Sequence, residues 1–155
     1  DLGASSNVHY LYSKNAAAAG LAYEYRADFP LGKSSTIGLS YIHLDYFGKL
    51  DGLKVSVQRI LFSSAQTPDA FLDYSARIGV SYAAYVGTPV IVLKDSFIDE
   101  APASMQEIGV IIRPLCLRFG WFLVSILDTQ VSIDPVSPAE RLNVSVSILS
   151  TGSRF

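Results

Sequence analysis

Apolar and small polar residues alternate with a period of two down almost the whole chain. Leu142, Val144, Val146 and Ile148 interleave with Asn143, Ser145 and Ser147. Leu72, Tyr74, Ala76, Ile78, Val80 and Tyr82 interleave with Asp73, Ser75, Arg77, Gly79 and Ser81. Successive side chains of a strand point to opposite faces, so each segment reads as a strand with one apolar and one polar face. The pattern predicts strands over residues 7–13, 20–29, 36–46, 53–62, 71–85, 107–119, 121–133 and 141–151. About eight strands close a small barrel. Several are longer than the ~5–6 residues usual in soluble proteins and match the ~9–11 of a tilted membrane strand.

Turn signals separate the segments. Phe47-Gly48-Lys49-Leu50-Asp51-Gly52, Gln66-Thr67-Pro68-Asp69 and Asp134-Pro135-Val136-Ser137-Pro138 are rich in Gly, Pro, Asp and Ser, as hairpin connections are. Phe119-Gly120 is almost the whole link between the sixth and seventh strands, which makes them antiparallel neighbours. The one long connection, at about 87–105, holds Pro89-Val90-Ile91-Val92-Leu93 and the acids Asp95, Asp99 and Glu100. It has room for a short helix or an extra strand, and its acids match no calcium-loop spacing. The chain reads as a single domain over residues 1–155.

Alternation alone does not separate a soluble barrel from a membrane barrel, because each is the other turned inside out. Composition separates them. Only 17 % of residues are charged, against about 25 % in ordinary soluble domains. Half are hydrophobic, yet no apolar run nears the ~20 residues of a spanning helix. The polar face is mostly Ser, Gly, Ala and Asn. Its charges come in both signs: Glu24, Arg26, Asp28, Lys54, Asp73, Arg77, Arg113 and Asp128. A narrow polar lumen needs small residues and opposite charges that pair, since an unpaired buried charge is costly. On the apolar face, Tyr10, Tyr12, Tyr23, Phe29, Tyr41, Tyr82, Phe119 and Trp121 gather towards strand ends, as the aromatic girdles of a membrane barrel do. The expectation is an all-β fold, a closed antiparallel up-and-down transmembrane β-barrel.

This pattern, with the mature length and the terminal Phe155, resembles the small eight-stranded outer-membrane barrels of Gram-negative bacteria, the outer membrane protein A transmembrane-domain type. The resemblance is architectural and spans the chain. It implies a bacterial outer-membrane location, with the lipid bilayer and lipopolysaccharide as surroundings. It also implies termini in the periplasm and the 87–105 connection outside. A chain opening at Asp1 with a polar stretch is consistent with a processed mature form. Phe155 resembles the signal read by the barrel-assembly machinery, although Thr151 and Ser153 before it are polar and the apolar set of the last strand has the opposite parity.

Two breaks in the pattern hold the remaining chemistry. Pro114 lies inside the sixth strand and cannot donate to a ladder, so it marks a bulge. It turns Ile108, Val110 and Ile112 before it, and Leu115, Leu117 and Phe119 after it, to the same side. Lipid A acyl-transferring barrels resemble this in using prolines to open a wall. In the third strand, Ile37, Leu39 and Tyr41 share a parity that continues into His43 and Asp45. Either these two stand at a rim or a bulge turns them inward beside Lys54. With Ser40 they are the weak candidates for acid–base or nucleophilic chemistry; His9 is more isolated. Arg59 shares the apolar parity of Leu53, Val55 and Val57, so it belongs near an interface or against a partner protein. Asn143-Val144-Ser145 matches a glycosylation acceptor but lies within a strand.

Cys116 alone excludes an internal disulfide. There is no Gly-rich phosphate loop, His pair or Cys pair, so neither cofactor nor metal is expected. A net charge of −2 gives no footprint for nucleic acid. The leading expectation is a barrel with a side-chain-filled lumen, acting as a structural or accessory component of a membrane or membrane complex. The alternatives are a lipid-modifying enzyme acting on lipid A and a soluble lipocalin-like barrel holding an apolar ligand.

Overall fold

A computed structural model describes residues 1–13, 17–45, 49–64, 71–88, 90–92, 98–100, 103–136, 138 and 141–153. Eight long strands close into a barrel: β1 (Leu2–Ser13), β2 (Ala17–Pro30), β3 (Ser35–Asp45), β4 (Lys49–Ser63), β5 (Leu72–Thr88), β8 (Ala103–Phe119), β9 (Phe122–Ile133) and β10 (Arg141–Ser153). Each is antiparallel to its neighbours, and β1 pairs with β10 to complete the ring. The short strands β6 (Val90–Val92) and β7 (Ile98–Glu100) form a separate hairpin between β5 and β8. No helix among the described residues is long and apolar enough to cross a membrane, which says nothing of strands.

The observed strands are longer than the alternation predicts, mainly at the end that carries the long connection. β2 takes in Ala17–Ala19, β4 begins at Lys49, and β5 and β8 take in residues 87–88 and 103–105 from the two ends of the long connection. Ala17–Ala19 and Lys49 show no alternation, yet their backbones complete a ladder begun lower down. The extra strand expected in the long connection is present as the β6–β7 hairpin. β6 lies against β2, and the ring order puts β2 on the far side from β5 and β8. The hairpin therefore crosses the mouth of the barrel.

The tight turn between β8 and β9 uses Gly120 and Trp121. Gly120 has φ +58° and Trp121 has no positive φ, the pattern of a type II′ hairpin turn, which favours Gly at its first central position. The Gly120 amide also donates to the Phe71 carbonyl, tying this end of β5 to the turn.

The two faces separate sharply. Leu39, Leu53, Val55, Val80, Val110 and Val131 are exposed on the outer wall. Ser40, Lys54, Ser56, Gln58, Ser81 and Gln130 are buried inside it. Serine is suited to this lumen because its side chain is short enough to leave space for the charged residues of facing strands.

Parity shifts in four strands, and the shifts line up. At Pro114 and Leu115 both side chains point outward, and the β5–β8 register slips between Ser75 and Arg77. Leu61 and Phe62 are both exposed where β4 slips against β5. Ile148 and Leu149 are both exposed where β10 slips against β1. In β9 the shift falls at Leu127, which has φ +59°. Leu115 faces Ile126, and Ile126 faces Leu149. The bulge predicted at Pro114 is thus one member of a belt that crosses neighbouring strands. After the slip in β10, the odd positions Leu149 and Thr151 face outward, removing the parity conflict noted for the chain end. Phe155 itself lies outside the described residues.

Candidate functional site

The eight charged residues that alternation places inward all have their side chains in the lumen, and they form layers. In the half nearer the termini, Arg26 Nε lies 2.8 Å from Asp28 Oδ2. Arg113 reaches the same oxygen at 3.8 Å and Asp128 Oδ2 at 3.4 Å. Ser150 donates to Asp128 at 2.8 Å, and Ser125 also donates to Asp128. Arg118 lies 3.9 Å from Asp73, which accepts hydrogen bonds of 3.0 Å from Ser63 and Ser64. Arg77 shares this layer and stands opposite Arg113 across the β5–β8 ladder.

Midway up, Lys54 Nζ is 2.7 Å from Glu24 Oε2 and donates to Gln130 at 3.1 Å. Ser40 Oγ donates to the other Glu24 oxygen at 2.7 Å. Each member of this cluster comes from a different strand, so the layer staples β2, β3, β4 and β9 across the lumen. A buried ion pair offsets its desolvation only when its remaining lone pairs are also satisfied, and Ser40 and Gln130 do that here.

Towards the long connection the lumen changes character. Glu107 accepts from Asn143 at 2.5 Å, Ser132 at 2.9 Å and Tyr85 at 3.5 Å. Beside it, Ala22, Ile42, Leu44, Leu50, Ala83, Tyr85 and Met105 form an apolar plug. Leu44 is 0 % and Leu50 2 % exposed. The Tyr85 ring sits where a Cβ on Gly52 would be, 2.3 Å away, so only glycine fits beneath it. The sequence reading set Asn143 on the polar face of its strand but did not assign Glu107, Gln130 or this plug. Glu107 stands at the first position of its predicted segment, where alternation is weakest. Leu44 and Leu50 flank a turn, where an apolar residue has no assigned face.

The outer wall carries the aromatic residues. Tyr10, Tyr23, Phe29, Tyr41, Tyr82, Phe119 and Trp121 are all exposed there; the side chain of Tyr12 lies outside the described residues. Phe29, Phe119 and Trp121 stand at the terminus end, joined by Phe62, Phe71 and Tyr74. Tyr10, Tyr23 and Tyr41 lie higher, and Tyr82 stands opposite Val55 at mid-wall rather than at a strand end. Arg59 is exposed on the same wall and pairs in register with Ser35, the first residue of β3, so it stands near the edge of the wall. Asn143 is buried in the lumen on Glu107, where no glycosylation machinery reaches it.

The weak catalytic candidates do not come together. Ser40 faces the lumen and is spent on Glu24, whereas His43 and Asp45 keep the outward parity without a bulge in β3. His43 Nδ1 lies 2.7 Å from Asp51 Oδ1, and Tyr41 Oη donates to the same oxygen at 2.5 Å. Asp45 stands opposite Lys49. The result is a small polar cluster on the outside of β3 and β4 near the mouth. The side chains of His9, Asp95, Asp99 and Glu100 lie outside the described residues. Cys116 is buried and free, 3.5 Å from Ser125 Oγ. Among the described residues no group of His, Cys, Asp and Glu could hold a metal.

No protein-family model matches the chain, and no curated protein matches it. Among solved structures it is similar to Neisserial surface protein A, with 10 % identity and a TM-score of 0.72 over 99 % of this chain and 96 % of that one. The N-terminal β-barrel domain of Pseudomonas aeruginosa OprF matches at 11 % identity and a TM-score of 0.45, over 96 % of each chain. Ail of Yersinia pestis, in complex with the heparin analogue sucrose octasulfate, matches at 12 % identity and a TM-score of 0.37, over 99 % of this chain and 96 % of that one. The first of these shows that the chain has the fold of a small eight-stranded up-and-down barrel.

Proposed function

We propose that this chain is an integral protein of the bacterial outer membrane, a closed barrel that acts through its outer wall as a structural or accessory component. One observation carries the reading: the wall is apolar outside while the inside is filled with charged side chains, most of them in ion pairs, and an apolar plug. Hydrocarbon outside matches such a wall, because every strand is paired in a closed ring and no edge needs water. A lumen filled by side chains leaves no route for solute. The hairpin across the mouth and the short links between the other strands leave the wall and rim as the surfaces able to meet a partner. Near the mouth, Tyr41, His43 and Asp51 offer hydrogen-bonding groups on the outer wall, the chemistry that lipopolysaccharide headgroups would use. An accessory role beside a protein partner would use the same wall.

The test is membrane fractionation, followed by gel mobility with and without boiling. A chain that needs detergent and migrates faster unboiled supports the reading. A chain soluble without detergent and with one mobility overturns it. Stable channels of porin size in planar bilayers would overturn the closed-lumen part.

A further inference from the structure

Arg77 and Arg113 face each other directly across the β5–β8 ladder, both on the lumen side. Like charges so placed repel. Arg113, 3 % exposed, is held by Asp28 and Asp128. Arg77 is not held in this way. Among the described residues no carboxylate stands within ion-pair distance of it, and its enclosed Nε has no hydrogen-bond partner. The Nε of Arg113 also lacks a hydrogen bond. At this end the inward charges on the strands are Arg26, Arg77, Arg113 and Arg118 with Asp28, Asp73 and Asp128. Asp1 stands at the rim beside them, and its nitrogen donates to the Asp28 carbonyl. Glu24 is matched by Lys54 one layer above.

A cavity lies at the same place, of about 30 Å³, bounded by Asp1, Arg26, Asp28, Arg77, Arg113 and Ser125. That is room for one small ion or a water, and too little for a phosphate ester or an organic acid. Asp28 turns Oδ2 towards the arginines and Oδ1 towards Gly38, where a Cβ would lie 2.7 Å from it. Its free oxygen is therefore turned towards the β3 wall. Leu2, Gly3 and Gly152, at the terminus end of β1 and β10, also border the cavity, so the way in is from that end.

We propose that this cavity is a binding site for one small monovalent inorganic anion, of the size of chloride, which neutralises the Arg77–Arg113 pair. Water would satisfy the two Nε donors but would leave the repulsion between the facing guanidinium groups uncompensated, which is costly where Arg113 is buried. The anion supplies what the polypeptide omits.

The experiment uses the folded full chain in detergent, with chloride, bromide or gluconate titrated at fixed ionic strength. The thermal midpoint for loss of the fast-migrating gel form is read out. A saturable rise with the two halides and none with bulky gluconate is expected. Arg77→Gln is expected to lose the halide dependence, and Arg77→Lys to keep it. Crystals of the unmodified protein in bromide test the site even if Arg77→Gln does not fold. An anomalous peak between the two guanidinium groups supports the proposal. Superimposed halide and gluconate curves, or a cavity without a bromide peak, overturn it.

Discussion

At the scale of single residues, the lumen is held by pairs that cannot lose one partner cheaply. Lys54 and Glu24 are both buried and 2.7 Å apart. Lys54→Met leaves a buried carboxylate unpaired, a loss of about 3–5 kcal/mol by the usual cost of breaking such a pair. The double variant Lys54→Met with Glu24→Gln should recover much of it. Urea unfolding from lipid vesicles checks both. Gly52→Val drives a side chain into the Tyr85 ring and should prevent the fast-migrating form, whereas Gly32→Ala, at a turn with nothing within 4 Å, should keep it, with only a small loss of stability from its φ of +79°. The residue-level placement of charge was legible because parity and sign both show in the chain: Asp73 and Arg77 differ by an even number. Their partners were not legible. Arg26 and Arg113 share Asp28 although they lie on strands that are not neighbours.

At the scale of elements, the belt of bulges decides how the lower wall is shaped. A bulge adds a residue to one strand, bends it and increases its twist. Pro114 is the member visible in the sequence, because it removes a ladder donor. Leu127 is not, because leucine carries no signal for a left-handed φ. A left-handed conformation costs a non-glycine residue about 1–2 kcal/mol. Leu127→Gly should therefore be close to neutral, the relief of strain offsetting the lost side chain. Ile126→Gly, one position away with ordinary φ, should lose at least about 1 kcal/mol from lost packing and backbone entropy. Unfolding midpoints of the two variants in the same vesicles decide this; equal losses would contradict the conformation at Leu127.

At the scale of the whole molecule, the question is which face meets hydrocarbon. Val55 stands opposite Leu39 and Tyr82, in the middle of the outer wall. Val55→Arg should cost about 2–4 kcal/mol, the depth-dependent penalty for a cation at the midplane of a membrane barrel. Arg59 is near the edge of that wall, and Arg59→Leu should change stability by less than about 1 kcal/mol. In a soluble barrel the first substitution would be harmless, so the pair measures the orientation of the faces. The same view gives a conductance prediction. Leu44 and Leu50 fill the lumen beneath the mouth, so replacing both with Gly should admit small ions in planar bilayers where the unmodified chain admits none. Unchanged conductance in the double variant would show that the charged layers alone suffice to close the lumen.

The order of the strands, their antiparallel sense and the assignment of faces were determined by the sequence, because a two-residue period and short Gly- and Pro-rich links leave a meander few alternatives. The closure of β1 onto β10, the belt of bulges, the partners of each charge, the plug and the course of the β6–β7 hairpin were decided only in three dimensions. Each depends on which residues of different strands share a height in the barrel. Height is set by register and tilt, and one strand alone carries no record of either.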